Sequence, residues 1–333
     1  YMMTRASFLT VPISFYQTSL IYGRNTFYSV ALPLARPGIF AGLALVLMET
    51  ISDFGTVEYF ALETLTLGVF NVWLGMNSLS GASQISSVLF IFVIILLTIE
   101  YLARRRQRYH ELSSGQNMLI SENLSNSKKL LCFLICFIPI FLGFIVPVLI
   151  LLNFVLSGFS IINFTEIFKT ALTSISVASA GAFFVMLASV LLILISNYKS
   201  NNFHKVLIFI ASCGYALPGT ILAVGIVIFV GWINSIINFH LSYVAGGFIV
   251  LIFAYVTRFL AVGNAAIRSG ILKVHPNAMD ASTSMGRGFY QSIRKIILPL
   301  IYTNVLIGGI LVFVDILKEL PITLLLRPFN FET

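Results

Sequence analysis

Long runs of apolar residues without any charge dominate this chain. Three of them occupy residues 130–152, 171–197 and 206–255. Each run reaches the roughly 20 residues that an α-helix needs to cross about 30 Å of hydrocarbon, and the third is long enough for two spans. Charged residues make up only 10% of the 333 residues, against about 25% in soluble domains. The runs predict a membrane protein, and every span is predicted to be a helix because open sheet edges cannot be satisfied in lipid.

The positive charges lie next to the apolar runs rather than in a patch. The basic residues at these positions are Arg104, Arg105, Arg106, Arg108, Lys128, Lys129, Arg258, Arg268, Lys273, Arg287, Arg294 and Lys295. By contrast, residues 153–169 and 231–243 together hold one Lys and no Arg. Cytoplasmic loops of membrane proteins are typically rich in Lys and Arg, and outer loops are poor in them. The distribution therefore indicates that the net charge of +8 reflects the orientation of the chain in the membrane, and it argues against nucleic-acid binding.

The same rule predicts a topology of about seven spans, with the two ends of the chain on opposite sides of the membrane. The predicted spans are 37–53, 85–102, 130–152, 170–196, 206–230, 243–264 and 300–317. Residues 1–36 are predicted to be cytoplasmic, and 54–84 to lie outside with a short re-entrant piece at 65–76. A polar cytoplasmic linker is predicted at 103–129. Arg258 is interpreted as an anchor whose charge reaches the cytoplasmic surface from a helix end.

An internal repeat divides the chain into two related parts. Leu-Pro-Leu occurs around Pro33 and again around Pro299, an offset of 266 residues. At the same offset Gly42 corresponds to Gly308, Glu49 to Asp315, and Asp53 to Glu319. Such duplication is common in transporters. It predicts a first half at 1–102, the linker, and a second half at 130–333. Because the first half shows two spans and the second five, we expect the chain to be an internal piece of a longer protein.

Each Leu-Pro segment follows a short cytoplasmic loop. The second loop reads Asp280-Ala281-Ser282-Thr283-Ser284-Met285-Gly286 and ends at Pro299. It resembles the EAA loop of binding-protein-dependent, type I ABC importer permeases. The pattern predicts a helix that stops at Gly286, a second helix over about 289–297, and Pro299 at the start of a span. The first loop has Gln17, Gly23 and Pro33 at the corresponding positions and lacks the acid. It is three residues shorter, because Gly23 and Gly286 are 263 residues apart while Pro33 and Pro299 are 266 apart.

The resemblance is more specific in four segments, which are similar to the ferric-iron type of these permeases. They are 33–37, 47–57, 214–225 and 315–333. The resemblance implies an all-α, polytopic membrane helix bundle built from two related type I ABC permease halves, with the permease core of the second half at about 166–333. It also implies import of iron(III) from a periplasmic binding protein across a bacterial inner membrane. A cytoplasmic ABC ATPase dimer would dock on both loops, at Asp280, Ala281, Ser282, Gly286 and Pro299 and at Gln17, Gly23 and Pro33.

No phosphate-binding sequence of the GxxxxGK[ST] type occurs in the chain. We therefore expect ATP to be bound by the partner subunit, and expect this chain to have no cofactor, no fixed metal site and no enzymatic role.

Four acids are predicted at membrane depth. Glu49 lies about 16 Å along the helix from Gly38, Asp53 is one turn further, and Asp315 and Glu319 repeat this spacing. A carboxylate at this depth costs a few kcal/mol. We hypothesise that the four acids line a translocation pathway for a hard cation. The alternative is that they cap broken helices or pair internally, for example with Lys318 three residues after Asp315. Pro218 is interpreted either as a hinge in the pathway or as a static kink.

Other functions remain open at this point. The same machinery serves other small solutes, such as thiamine, a polyamine or a phosphonate. An ion-coupled secondary transporter or channel would use the acids as its ion site. A membrane-embedded enzyme is disfavoured, because the loops carry no nucleophile, metal cluster or acid–base pair.

Overall fold

The computed structural model describes residues 2–9, 11–23, 25–105, 125–158, 163–198, 202–237, 247–275 and 277–327. Within these residues every regular element is a helix. Arg106, Arg108, most of the predicted linker and the segment 328–333 lie outside the described residues.

Sixteen α-helical segments are described, and we number them in chain order. The first eight are α1 Met2–Leu9, α2 Ile13–Ile21, α3 Leu32–Ser52, α4 Gly55–Tyr59, α5 Leu65–Phe70, α6 Leu79–Arg105, α7 Asn126–Ile140 and α8 Val146–Gly158. The remaining eight are α9 Phe164–Tyr198, α10 Asn202–Ser212, α11 Gly219–Ile237, α12 Phe248–Ile271, α13 Ala278–Ser284, α14 Phe289–Ser292, α15 Leu298–Leu317 and α16 Leu320–Leu326.

Six helices in the described residues are long and apolar enough to cross a membrane, or seven if Phe27–Arg36 and Gly38–Ser52, which are bent by 53° relative to each other, count as one span. The six are Leu79–Ile99, Asn126–Gly158, Phe164–Asn197, Gly219–Ile236, Phe248–Ile271 and Phe289–Leu317. The prediction of an all-α, polytopic helix bundle is therefore confirmed. The piece predicted to be re-entrant contains α5 and a π-helical turn, Asn71–Gly75, which together form a short apolar helix.

Several predicted spans differ from the structure in their continuity or their bounds. The run 206–230 does not form one helix: α10 ends at Ser212, a 3₁₀ turn follows at Cys213–Ala216, and α11 begins at Gly219. The break lies at Pro218, which has no N–H to donate and disfavours helical backbone in the residue before it. The span predicted to end at 264 continues to Ile271. It contains Arg258 in its interior, where the charge is neutralised by a partner described below.

Three π-helical turns end two residues before a proline. They are Phe27–Ala31 before Pro33, Phe141–Ile145 before Pro147, and Ile293–Ile297 before Pro299. A proline inside a helix removes one hydrogen bond and clashes with the carbonyl four residues earlier. A π turn widens the helix at that carbonyl, so the helix continues through the proline. The predicted helix over 289–297 is consequently continuous with the span that follows it.

The repeat seen in the sequence recurs in local structure. The π turns Phe27–Ala31 and Ile293–Ile297 are 266 residues apart, and so are the first residues of α3 and α15. Upstream, Gly23 and Gly286 both have positive φ, at 61° and 78°. The second loop therefore has the helix stop at Gly286 that its sequence predicts.

The described residues form two compact units. One contains those within 37–108 and 172–333, and its core is formed by α9, α12 and α15 through residues such as Val185, Tyr255 and Ile301. A smaller cluster of Val69, Ala82 and Val224 joins α5, α6 and α11. The other unit consists of residues 2–36 and 109–171. It contains α7 and α8, in which no residue is buried.

Candidate functional site

Both copies of the repeated span end in the same local structure. Helix α3 ends at Ser52 and α15 at Leu317, and a short helix follows each after a break. Asp53 accepts a hydrogen bond through Oδ1 from the Thr56 N–H at 3.2 Å, and Glu319 accepts one through Oε1 from the Ile322 N–H at 3.4 Å. Each acid thus caps the start of the next helix, at α4 and α16 respectively. Capping satisfies N–H groups that would otherwise be unpaired in a membrane.

The broken ends are held in place by neighbouring helices. Thr66 on α5 donates its hydroxyl to the carbonyl of Ile51 at 2.7 Å, and the buried ring of Phe54 packs on Phe70 at 4.8 Å between centroids. At the other break, the hydroxyls of Tyr255 and Thr323 are 2.7 Å apart. Each break is therefore a fixed structure, anchored by one hydroxyl from a different helix.

The two breaks line one cavity of about 490 Å³, which we call the acid-lined cavity. Its charged and phenolic lining residues are Glu49, Asp53, Tyr215, Arg258, Lys318 and Glu319. Asp315 does not line it, but its partner Lys318 does. The structure thus brings three of the four predicted acids to one cavity and places the fourth beside it.

Both acids of the second copy are neutralised by cations. Arg258 Nε lies 3.1 Å from Glu319 Oε2, and both side chains are almost fully buried, at 8% and 7% exposure. Lys318 Nζ lies 3.0 Å from Asp315 Oδ1, in a pair that is partly open to its surroundings. The internal pairing that the sequence allowed for Asp315 is therefore present.

The interpretation of Arg258 as a surface anchor is wrong. Besides its pair with Glu319, Arg258 donates from Nη1 to the backbone carbonyl of Leu217 at 3.0 Å. That carbonyl lies at the helix break caused by Pro218, where no helical N–H is available to it. The guanidinium has several donors in a fixed fork, so it can pair with a carboxylate and satisfy this carbonyl at once. Arg258 therefore joins α12, α16 and the break before α11.

Pro218 is buried beside this pair, and Gly219 after it is a point of close packing. A Cβ atom on Gly219 would collide with Glu319 Oε1 and would lie 2.9 Å from Arg258 Nη1. The absence of a side chain thus lets the start of α11 reach the buried ion pair. This favours a packed, fixed break at Pro218, and whether Pro218 also works as a hinge stays a hypothesis.

The acids of the first copy have no cationic partner among the described residues. Glu49 is exposed and accepts a hydrogen bond through Oε1 from the Tyr215 hydroxyl at 2.7 Å. Within the described residues, the Asp53 carboxylate is bound only by the N–H of Thr56. Tyr215 and Arg258 were missed as site residues. For Arg258 a signal existed, since an arginine inside a predicted span is by default a functional candidate.

The second loop folds on itself as a helix–turn–helix. Its turn at Gly286 is closed by the Arg287 N–H, which donates to the Ser282 carbonyl at 3.2 Å. The hydroxyls of Ser282 and Ser292 are 2.7 Å apart and buried, so Ser282 stabilises the loop rather than offering a surface to a partner. Asp280 and Ala281 are exposed. Pro299 lies in the first turn of α15, as predicted.

The first loop resembles the second in the burial and placement of its corresponding residues. Gln17 is exposed on α2 and Ser19, which corresponds to Ser282 at the offset of 263, is also buried. Pro33 lies at the start of α3. Docking of an ATPase on either loop stays a prediction.

Across the described residues, no set of three His, Cys, Asp or Glu side chains is placed to hold a metal ion together.

Comparison with curated proteins finds relatives along the whole chain. The chain is 25% identical over 345 aligned residues to the Fe(3+)-transport system permease protein FbpB 2 of Haemophilus influenzae, covering 100% of this chain and 66% of the relative. It is 23% identical to the putative ferric transport system permease protein FbpB 1 of the same organism, covering 83% of this chain and 46% of the relative. It is 22% identical to the ferric transport system permease protein FbpB of Actinobacillus pleuropneumoniae, covering 83% of this chain and 42% of the relative.

The chain therefore spans just under two thirds of the length of the first relative and less than half of the other two. No family model matches it, and no solved structure matches it.

Proposed function

We propose that this chain is the membrane-spanning permease of an ATP-driven importer and that its substrate is iron(III). The observation that carries the proposal is its similarity, over the full length of the chain, to proteins named as ferric permeases. The acid-lined cavity supports it independently, because Glu49 and Asp53 line it and neither forms a salt bridge with a described cation. Negative charge in a low-dielectric cavity attracts a cation and repels anions such as phosphonates.

Transport in this proposal proceeds by alternating access, which requires movement to pass from a cytoplasmic ATPase to the cavity. The continuous helix Phe289–Leu317 provides the connection, since it begins in the second loop and ends at the break before Glu319. Twenty-nine helical residues span about 43 Å. A shift of the loop would thus be carried by one rigid element to the wall of the cavity, without any covalent chemistry in this chain.

The partners follow from the same proposal. An ATPase dimer in the cytoplasm would bind the loops through exposed residues such as Asp280 and Ala281, and a periplasmic binding protein would deliver the substrate on the opposite side. The chain would lie in the bacterial inner membrane. ATP would be bound by the ATPase, so the permease itself needs no cofactor.

The alternatives receive less support. Thiamine, a polyamine or a phosphonate would use the same machinery, but the names of the relatives specify ferric iron. An ion-coupled secondary transporter would also place acids in the membrane, but it would have no use for an exposed cytoplasmic helix–turn–helix that continues into a span.

A reconstituted system tests the proposal. The full-length protein that contains this chain is placed in proteoliposomes with its binding protein and ATPase, and uptake of radiolabelled iron(III) is measured. We expect uptake to require ATP and to stop when the ATPase carries a substitution in its phosphate-binding lysine. Uptake that continues without nucleotide but collapses with the ion gradient would refute the proposal in favour of a secondary transporter. Uptake of thiamine or a polyamine in place of iron would refute the substrate.

A further inference from the structure

The geometry points to Tyr215 and Glu49 as the pair of oxygen ligands that binds ferric iron during its passage through the acid-lined cavity. The inference rests on the proposed function and adds to it the residues that recognise the substrate. It depends on three observations: Glu49 forms no salt bridge with a described residue, the Tyr215 hydroxyl lies beside it, and both groups are open to the cavity.

Glu49 is the acid most available to a substrate. Glu319 is paired with Arg258 at 3.1 Å and is almost fully buried, and Asp315 is paired with Lys318 at 3.0 Å. The Asp53 carboxylate already accepts a hydrogen bond from the Thr56 N–H as a helix cap. Glu49, by contrast, has no role in a helix cap, is exposed, and is bound only by a neutral phenol within the described residues.

Tyr215 is positioned rigidly for a second ligand. It lies in the 3₁₀ turn Cys213–Ala216, directly before the break at Pro218, and its ring packs edge-on against Phe259 with 6.4 Å between centroids. The ring is half-buried, and its hydroxyl reaches the cavity 2.7 Å from Glu49 Oε1. Two oxygen ligands from different helices are thus already held side by side, without a further change of backbone.

The chemistry of these ligands suits a hard, trivalent cation. Carboxylate and phenolate are hard oxygen donors, and tyrosinate is a known ligand of ferric haem iron. Ferric iron carries bound hydroxide at neutral pH. The Fe–O bond to Tyr215 forms as the phenol O–H bond breaks, and the bound hydroxide accepts the proton and becomes bound water. Glu49 stays ionised and binds the same iron, which remains ferric throughout.

Two protein ligands also fit a substrate that must leave again. A transport site has to bind well enough to admit the ion and weakly enough to release it. A full cage of side chains would hold iron too tightly, and within the described residues no three His, Cys, Asp or Glu side chains form one. Water or a small chelator would occupy the remaining coordination positions, for which a cavity of about 490 Å³ has room.

Visible spectroscopy tests the inference directly, because a ferric–phenolate bond gives a ligand-to-metal charge-transfer band. The purified full-length protein, without nucleotide, is titrated with iron(III) nitrilotriacetate, and absorption and resonance Raman spectra are recorded. We expect a charge-transfer band with phenolate vibrations, lost in Tyr215→Phe. Glu49→Gln is expected to retain the band but to weaken iron binding by at least about 10- to 100-fold, the loss caused even by residues that only orient a metal ligand.

A matched control is Tyr302→Phe, which removes the hydroxyl of an exposed tyrosine on α15 that does not line the cavity. This variant should keep the band. Thermal unfolding of each variant shows that the fold is intact, which Tyr215→Phe should preserve because the ring stays in place.

The inference is overturned if the band persists in Tyr215→Phe, or if the unchanged protein transports iron(III) with ATP and shows no band. In the second case the proposed function stands and only the ligands are wrong. If the unchanged protein transports no iron at all in the reconstituted system, the proposed function itself fails, together with the inference.

Discussion

The two ends of the repeated span carry acids at the same two positions but place them among different partners. At the end of α15, Asp315 and Glu319 are both paired with cations, Lys318 and Arg258. At the end of α3, Glu49 is bound by a phenol and Asp53 by a backbone N–H. At the offset of 266, Lys318 corresponds to Ser52, so the first copy lacks a cation where the second has its own.

The difference indicates that the negative charges of the two copies have different roles. The buried pair of Arg258 and Glu319 joins three elements of the second copy, and the cost of burying its charges is offset only while both members are present. The acids of the first copy, Glu49 and Asp53, line the cavity without a salt bridge to a described cation. A repeated motif in the sequence therefore supports two roles: the second copy mainly holds the cavity together, and the first provides its field.

The largest expected effect comes from removing Arg258. Arg258→Met leaves Glu319 buried without a cation and the Leu217 carbonyl without a donor, so we expect a loss of about 3 to 5 kcal/mol in stability. Thermal unfolding of the full-length protein in detergent measures it. The matched control is Lys318→Met, where the partly exposed pair contributes only about 0 to 1 kcal/mol. Equal losses in both variants would contradict the structural role assigned to the buried pair.

A methyl group at Gly219 probes the same pair from the other side. Gly219→Ala places a Cβ against Glu319 and Arg258, and overpacking of this kind costs about 1 to 3 kcal/mol. Gly225→Ala in the same helix is the control, since a Cβ there meets no atom within 4 Å. We expect that control to be neutral or slightly stabilising. If both alanines behave alike in thermal unfolding, the packing of α11 on the ion pair is not as described.

Uptake measurements compare the two copies directly. Glu49→Gln should lower iron(III) uptake about tenfold, which corresponds to ~1.4 kcal/mol of lost cation stabilisation. Asp315→Asn should lower it only about twofold, because its charge is already matched by Lys318 in a partly exposed pair. Both variants must be expressed at normal levels. Normal transport by both would eliminate the acids as part of the pathway.

The smallest expected effects distinguish the two loops. Gly286→Ala and Gly23→Ala each force a side chain into positive φ, at a cost of about 1 kcal/mol. We expect the Gly286 variant to reduce substrate-stimulated ATPase activity more, since the second loop retains the exposed Asp280. The reverse order would show that the first loop, despite its missing acid, is the stronger ATPase contact.

Sequence alone predicted the features that depend on composition and local backbone. Spans follow from long apolar runs, because lipid requires them. The helix stop at Gly286 follows from a residue that tolerates positive φ. The register of Glu49 with Asp315 is visible without any structure.

The partners of those residues could not be predicted in the same way. Tyr215 and Glu49 are 166 residues apart, so their hydrogen bond depends on how whole helices pack. Arg258 was misjudged for the same reason: its charge is acceptable inside a span only because Glu319 reaches it from α16. The run 206–230 was predicted to be one span with a hinge or a static kink at Pro218, because a proline in an apolar run does not show whether the helix bends or ends.

The π turns before the prolines constrain how the gene can change. A π turn holds one residue more than the α-helical turn it replaces, so the side chains before and after it are offset by about 100°. Deleting one residue from Ile293–Ile297 would leave a continuous, hydrophobic helix of almost normal length. It would nevertheless rotate the second loop about the axis of α15 and turn Asp280 away from its present direction. We therefore expect one-residue deletions there to be far more harmful than substitutions, although neither changes the hydropathy of the span.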